Sequence, residues 1–250
     1  MSVQFFVQDC ISKGMALPSN VESFQHPNEL AHVTPYKTVV FCSINIARYL
    51  QSIDLGQCLI LDDWVSHIGE QSIFDWNVQS TILKENLLNH DGKIFPFHQL
   101  QSEKEGFVRP NSGWKPFTGF DFSAGELEQE KNAIRQVEKV NPFELCVFCE
   151  KKQLSQEFRF WIIEGEVVTH SSYSFDDGHE PYQDDSFLPF VNHVVQLLET
   201  TCQNCVIDVC CDERGDPKVV EVNAISTSGW YGAMEPNLLV NAIEELYLHD

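Results

Sequence analysis

The fold class expected from the sequence is α/β plus α+β, an N-terminal α/β domain followed by two α+β subdomains, and three observations lead to it. Short apolar runs at residues 3–7, 38–42 and 58–61 are separated by stretches long enough for helices or irregular crossovers, the pattern of a small α/β unit. Further along, strand-like segments pair locally: residues 157–163 and 167–173 flank the compact turn Glu164-Gly165-Glu166, and residues 206–211 and 218–224 flank a turn-rich connection containing Gly215. Finally, 250 residues with 43% hydrophobic and 21% charged side chains can bury a real core, in two or three packed units rather than one.

The expected organisation is residues 1–100 as the α/β domain, 101–150 as a second unit and 151–250 as a third. In the first, Asp62 and Asp63 follow the third apolar run, at a strand end where ligands often bind in α/β sheets, although helix capping or solvent exposure explains them as well. Residues 77–88 carry apolar side chains at helical spacing, and Asn89-His90-Asp91-Gly92 closes that helix. In the second unit, residues 107–110 read as a strand, 111–119 as a loop with Gly113, Pro116 and Gly119, 125–140 as a charged helix and 145–149 as another strand. In the third, the hairpin over 157–173 precedes a loop at residues 174–186 with five acidic side chains. A helix over 187–198 follows, then the second hairpin, then a terminal helix opened by Pro236 in the favoured first-turn position.

Composition bounds the function. A formal charge of −21 and a pI near 4.6 repel a phosphate backbone, which argues against nucleic-acid binding but not against ATP held by a local cluster of cations. No basic segment followed by a long apolar run marks a secretory signal, and no apolar stretch reaches the roughly 20 residues of a membrane span, so a cytoplasmic protein without a membrane partner is expected. Nine cysteines in that setting read as free thiols. The pairs Cys146/Cys149 and Cys202/Cys205 suggest a four-cysteine zinc site as a competing idea, but the first pair lies on a strand, where residues three apart face opposite ways.

The second hairpin carries the main chemical signal. If Cys211 faces Lys218, the antiparallel register puts Asp208 opposite Glu221, with Asn223 on the same face two residues on. Like charges so opposed, at ~5 Å and an effective dielectric of ~20, repel by about 3 kcal/mol. The valine-rich surroundings speak against an open edge, and two carboxylates with an amide oxygen are hard donors suited to Mg²⁺. The alternative is a surface hairpin with an acidic outer face. An ion there needs anionic company, and cations to hold it. Arg109 at a strand end and Lys115 in the following glycine-containing loop could clamp phosphates. On residues 157–163, alternation puts Glu157 and Arg159 on one face, where the carboxylate suits a ribose diol and the guanidinium a transferred phosphoryl group. Taken singly, each of these side chains reads equally as ordinary surface.

The order of these segments, over residues 107–231, resembles the ATP-grasp superfamily, in which two α+β subdomains enclose a nucleotide cleft. The resemblance implies ATP and Mg²⁺ as cofactors, with Asp208, Glu221 and Asn223 as metal ligands, Glu157 at the ribose, and the backbone of Phe148, Cys149 and Glu150 at the adenine. Arg109-Pro110 departs from the lysine-proline of many relatives, so Arg109 and Lys115 together would supply the phosphate-binding cations, and Arg159 and Lys115 the catalytic ones. Ser226, Ser228 and Gly229 follow the metal strand and could contact the acceptor or phosphate. The implied reaction is ADP-forming carboxylate–amine ligation through an acylphosphate, on an amino acid, peptide or protein. The alternatives are a non-catalytic nucleotide-binding or interaction protein of the same fold, and a zinc-stabilised binding protein. Specificity would lie in the N-terminal domain and the acidic loop around residues 176–185, whose charge hints at a cationic amine.

Overall fold

Phe5, Phe6 and Val7 are consecutive buried side chains, which a strand allows only when both of its faces are covered. They form the centre of β1 (Gln4–Gln8), the middle strand of a parallel sheet with β2 (Val21–Phe24) and β3 (Thr38–Phe41) on either side. The short α1 (Asp9–Ser12) leaves β1 and stops at Lys13 and Gly14, both with positive φ. After β3, α2 (Ile44–Ser52) buries Ile46, Ala47 and Leu50 at helical spacing. The computed structural model describes residues 3–30, 32–34, 37–59, 72–173 and 180–249. Asp62 and Asp63, and residues 174–179 of the acidic loop, lie outside the described residues. The strand expected at 58–61 is corrected: Gly56–Cys58 is a 3-10 turn, and residues 60 and 61 lie outside the described set.

Beyond residue 71, α3 (Trp76–Leu83) is shorter than the helix expected at 77–88, because Lys84 takes a positive φ and Lys84–Asn86 tightens into a 3-10 turn. Four antiparallel strands follow: β4 (Lys93–Pro96), β5 (Gly106–Pro110), β6 (Phe120–Phe122) and β7 (Leu145–Cys149), in the order β4–β7–β5–β6. Helix α4 (Leu127–Val137) lies between β6 and β7 in the chain, and its Leu127 joins Phe97, Leu100, Val108, Phe117, Phe122 and Cys146 in one apolar cluster.

The remaining strands are β8 (Phe158–Ile163), β9 (Glu166–Ser172), β10 (Cys205–Cys211) and β11 (Pro217–Asn223), ordered β11–β10–β8–β9. Strands β8 and β9 join through Glu164 and Gly165, both with positive φ, the conformation that matches the twist of a two-residue hairpin. Alternation sorts β8 by face. Trp161 and Ile163 enter a cluster with β1 and β3 residues and with Val206 of β10, while Phe158, two positions from Phe160, packs on Phe187. Helix α5 (Leu188–Leu198) opens just after Phe187, and α6 (Pro236–His249) adds Leu239, Val240 and Ile243 to the first of these clusters.

The chain divides into two compact units, the first made from Met1–Glu70, Gln156–Val209 and Val222–Asp250, the second from Gln71–Ser155 and Cys210–Glu221. These are not the boundaries at 100 and 150 expected from sequence. The reason is packing: Val3, Phe5 and Val7 share a core with Trp161, Trp230 and Ile243, so the first strands fold with the last helix.

Within the second unit, Gly106 is where β5 passes closest to β7. A Cβ there would stand 2.6 Å from a Phe148 ring carbon and 2.9 Å from the Cys149 carbonyl oxygen. Gly106→Ala is therefore expected to lower stability by about 1–3 kcal/mol, read as a reduced midpoint of urea unfolding, whereas Gly125→Ala, with open space around its Cβ but a positive φ, should lose less.

Candidate functional site

In the second unit the site is built around Glu221 on β11. Arg109, at the end of β5, donates from Nη2 to Glu221 Oε2 at 2.8 Å, and Lys115 donates from Nζ to Oε1 at 2.8 Å. The acid and Arg109 are well buried, with side-chain exposures of 17% and 10%, while Lys115 keeps 34%. The loop bearing Lys115 is anchored to the start of α3. Asp75 Oδ1 accepts from the Gly113 amide at 2.9 Å, the Asn111 carbonyl accepts from Trp76, and Asn111 Oδ1 accepts from the Asn77 amide. Gly113 is obligatory here, since a Cβ would meet Phe74 Cβ at 2.4 Å. Lys115 itself adopts φ +44, an uncommon conformation for a residue with a side chain, which the surrounding hydrogen bonds hold in place.

In the first unit the centre is Asp208 on β10. Antiparallel register places it directly across from Arg159 on β8. The guanidinium binds the carboxylate through both forks, Nε to Oδ1 and Nη2 to Oδ2, each at 2.8 Å. Oδ2 also accepts from the Tyr173 hydroxyl at 2.7 Å and from Asn223 Nδ2 at 3.0 Å. Arg159 Nη1 donates to the Gly229 carbonyl at 3.1 Å, Nη2 also reaches the Tyr173 hydroxyl, and the guanidinium lies 4.9 and 5.0 Å from the ring centroids of Tyr173 and Tyr231. Burial alone would disfavour the guanidinium's charge, but Asp208 beside it, and then Tyr173, hold its pKa well above the usual arginine value.

The sequence-derived set is therefore brought together in two groups, each within its own unit: Arg109, Lys115 and Glu221 in one, Arg159, Asp208, Asn223 and Gly229 in the other. Arg159, expected to point to a phosphoryl group, has Asp208 as its partner instead. Glu157 precedes β8 and its carbonyl accepts from the Tyr173 amide. Phe148 and Cys149 end β7, where Cys149 pairs with Phe107 and the Phe148 ring lies against Phe122, and Glu150 is the exposed residue just after. Ser226 and Ser228 are buried; the Ser228 hydroxyl donates to the Ala224 carbonyl and the Ser226 carbonyl accepts from Cys42, so both brace the turn after β11. Tyr173, Tyr231 and Asp75 were missed by sequence reasoning. Tyr173 had a usable signal, since it directly follows β9, the strand paired with β8 beside Arg159.

The thiols have their own partners. Cys146 Sγ donates to the Phe95 carbonyl and Cys149 Sγ to the Phe107 carbonyl, on neighbouring strands, and burial pushes each pKa up to about 12. Cys202 Sγ donates to the Asn204 carbonyl. Among the described residues, no group of three or more His, Cys, Asp or Glu side chains gathers as a metal site. No described helix is long and apolar enough to cross a membrane.

The arrangement, an acid–cation group on each of two α+β units, defines the class: residues 75–243 match a family model described as an ATP-grasp domain, the third family of its clade, and the chain belongs to that family. Among solved structures it is similar to D-alanine–D-alanine ligase from Bacillus anthracis, with 13% identity, a TM-score of 0.56, and coverage of 99% of this chain and 98% of that one. A structure of the same ligase complexed with ATP gives a TM-score of 0.54. D-cycloserine synthetase DcsG matches with 13% identity, a TM-score of 0.53, and coverage of 98% of this chain and 100% of that one. The ATP-grasp ligase PsnB shares 12% identity at a TM-score of 0.46, over 68% of this chain and 59% of that one, so the chain spans less than two thirds of PsnB. No curated protein matches the sequence.

Because Asp208 and Arg159 are each buried and satisfy one another, Arg159→Met or Asp208→Asn alone should lower unfolding stability by about 3–5 kcal/mol. The double variant should lose clearly less than the sum, in a double-mutant cycle read by chemical denaturation. Additive losses would show that the pair is not the unit described.

Proposed function

We propose that the chain is an ATP- and Mg²⁺-dependent carboxylate–amine ligase, ADP-forming, acting through an acylphosphate on an amino acid, peptide or protein. The observation that carries this reading is Glu221 between Arg109 and Lys115, each at 2.8 Å, in a chain of the ATP-grasp family. Acids with buried cationic partners suit a site that takes up both a divalent ion and a phosphate chain. The ion and the phosphates would take over these partnerships pairwise, leaving no buried charge uncompensated. The donor set fits the ion: the carboxylates of Asp208 and Glu221 and the Asn223 amide oxygen are hard oxygen donors of the kind Mg²⁺ shares with phosphates. When bound, Mg²⁺ would neutralise charge on the transferred phosphoryl group.

Arg109 and Lys115 then hold the phosphates, Arg109 bidentately and Lys115 as a point charge on its anchored loop. The backbone of Phe148, Cys149 and Glu150 meets the adenine, and the Glu157 carboxylate accepts from the ribose hydroxyls. The substrate carboxylate attacks the γ-phosphorus and ADP leaves. An amine next attacks the acyl carbon, phosphate departs, and the amine's proton passes to solvent. Arg159 has a donor fork suited to oxyanion charge in both steps. An amino acid or peptide substrate is supported by the D-alanine–D-alanine ligase whose fold this chain shares.

One observation favours a second reading, a nucleotide-binding protein without catalysis: both Asp208 oxygens already accept hydrogen bonds from Arg159, Tyr173 and Asn223. ADP release in MgATP, with a panel of amino acids and dipeptides and hydroxylamine as the amine, separates the two. A ligase gives carboxylate-dependent ADP, and Glu221→Gln should slow it about 100-fold or more while far-UV circular dichroism stays unchanged. MgATP-induced thermal stabilisation with no ADP under any carboxylate would select the second reading, and neither response would overturn both.

A further inference from the structure

A cation from the N-terminal segment stands beside the Arg159 group and has no role in the chemistry above. Lys13 Nζ lies 4.1 Å from the centroid of the Tyr231 ring, the ring whose centroid is 5.0 Å from the Arg159 guanidinium. The two tyrosine rings bracketing Arg159, Tyr173 and Tyr231, have centroids 4.3 Å apart. Lys13 reaches this place because the chain turns sharply after α1, with φ +48 at Lys13 and +79 at Gly14. The segment is fixed from the other side by a main-chain hydrogen bond from Trp230 to the Ile11 carbonyl at 2.8 Å, and Trp230 is fully buried against Phe41.

The charges do not balance here as they do around Asp208. Arg159 is neutralised by the carboxylate it grips; Lys13 has no acidic partner among the described residues. Desolvation, and then the like charge of Arg159, hold the Lys13 pKa below the ordinary lysine value. A cation–π contact offsets only part of such a penalty, typically about 0.5–1 kcal/mol at an accessible site; an anion would offset more. A further donor points to the same place. The Gly229 carbonyl accepts from Arg159, while its N–H has no acceptor among the described residues. Space is present as well: a Cβ on Gly229 would have Tyr231 Oη at 3.5 Å and Lys13 Cε at 3.7 Å, ordinary contact distances without a clash.

We propose that Lys13, the Gly229 amide and the Tyr231 ring, with Arg159 behind them, form a subsite that binds a carboxylate group. The subsite takes the carboxylate of a free amino acid or of a peptide C-terminus. It rests on the ligase reading only in the assignment of that carboxylate to the ligase substrate. Lys13 supplies the charge, Gly229 one hydrogen bond, and Tyr231 an apolar wall that orients the ammonium. The N-terminal segment thereby acts as a specificity element for the unit that carries Asp208.

The test measures binding without ATP, so it does not depend on catalysis. Thermal shift and isothermal titration of the whole chain use acetate, L-alanine, L-glutamate and L-alanyl-L-alanine as probes, with alaninamide and L-alanyl-L-alaninamide as carboxylate-free controls. At least one carboxylate should stabilise the wild type while its amide does not, and amino acid against dipeptide identifies the source. Lys13→Met should weaken that binding about tenfold or more, and Lys13→Arg should restore most of it. Gly229→Ala, which the contact distances allow to fold, should weaken binding too by filling the space. No stabilisation by any probe, or equal stabilisation by acid and amide, would overturn the subsite, as would unchanged affinity in Lys13→Met. A parallel MgATP titration of the wild type addresses the ligase reading alone: a MgATP response without a carboxylate response sinks the subsite, and the reverse sinks the ligase.

Discussion

The bidentate pairing of Arg159 with Asp208 is the interaction around which the first unit's polar residues are organised. Both groups are almost completely buried, a placement whose desolvation penalty is met only when geometry is good and the remaining lone pairs are filled. Every part of that requirement has a structural source here. The β8–β10 register puts the two residues face to face, the end of β9 delivers the Tyr173 hydroxyl, and Asn223 arrives from β11. The same face of β8 carries Trp161 and Ile163 into the apolar core, so the ion pair is the polar end of an otherwise hydrophobic surface.

Local charge and global charge oppose one another in this protein. The chain carries −21 overall, yet Arg109, Lys115, Arg159 and Lys13 sit at chosen positions on strand ends and tight turns. Electrostatic potential in a cleft depends on the nearest groups and the dielectric around them more than on a distant surface. An acidic exterior and locally cationic sites are therefore compatible, with the acidic surface serving solubility. The two groups also differ in design. Arg109 and Lys115 share one acid and leave the lysine a third exposed, whereas Arg159 has its acid to itself and is enclosed by aromatic rings.

Much of this was legible in the sequence, and what was not has physical reasons. Period-two alternation in β8 gave the face of Arg159 correctly, and the Glu164-Gly165 turn and Pro236 marked element ends where they occur. Strands β2, β4 and β6 were missed because three or four residues such as Val21–Phe24, with Glu22 and Ser23 inside, are too short and too polar to show a pattern. The partners of the acids were misjudged for a different reason. Sequence spacing identifies residues on one hairpin, but Arg159 is 49 positions from Asp208 and Arg109 is 112 from Glu221, and pairing at that range is set by sheet order. Lys13 was invisible for the same reason, with nothing local to distinguish it from a surface lysine.

The core that contains Val3, Phe5 and Val7 also contains Leu239, Val240 and Ile243. During synthesis, β1 and its neighbours therefore leave the ribosome long before the side chains that will cover them exist. A parallel sheet with apolar residues on both faces must wait as an exposed, sticky intermediate until translation nears its end. Growth of the nascent chain, more than any single contact, sets when this protein is most vulnerable to aggregation and most in need of a chaperone.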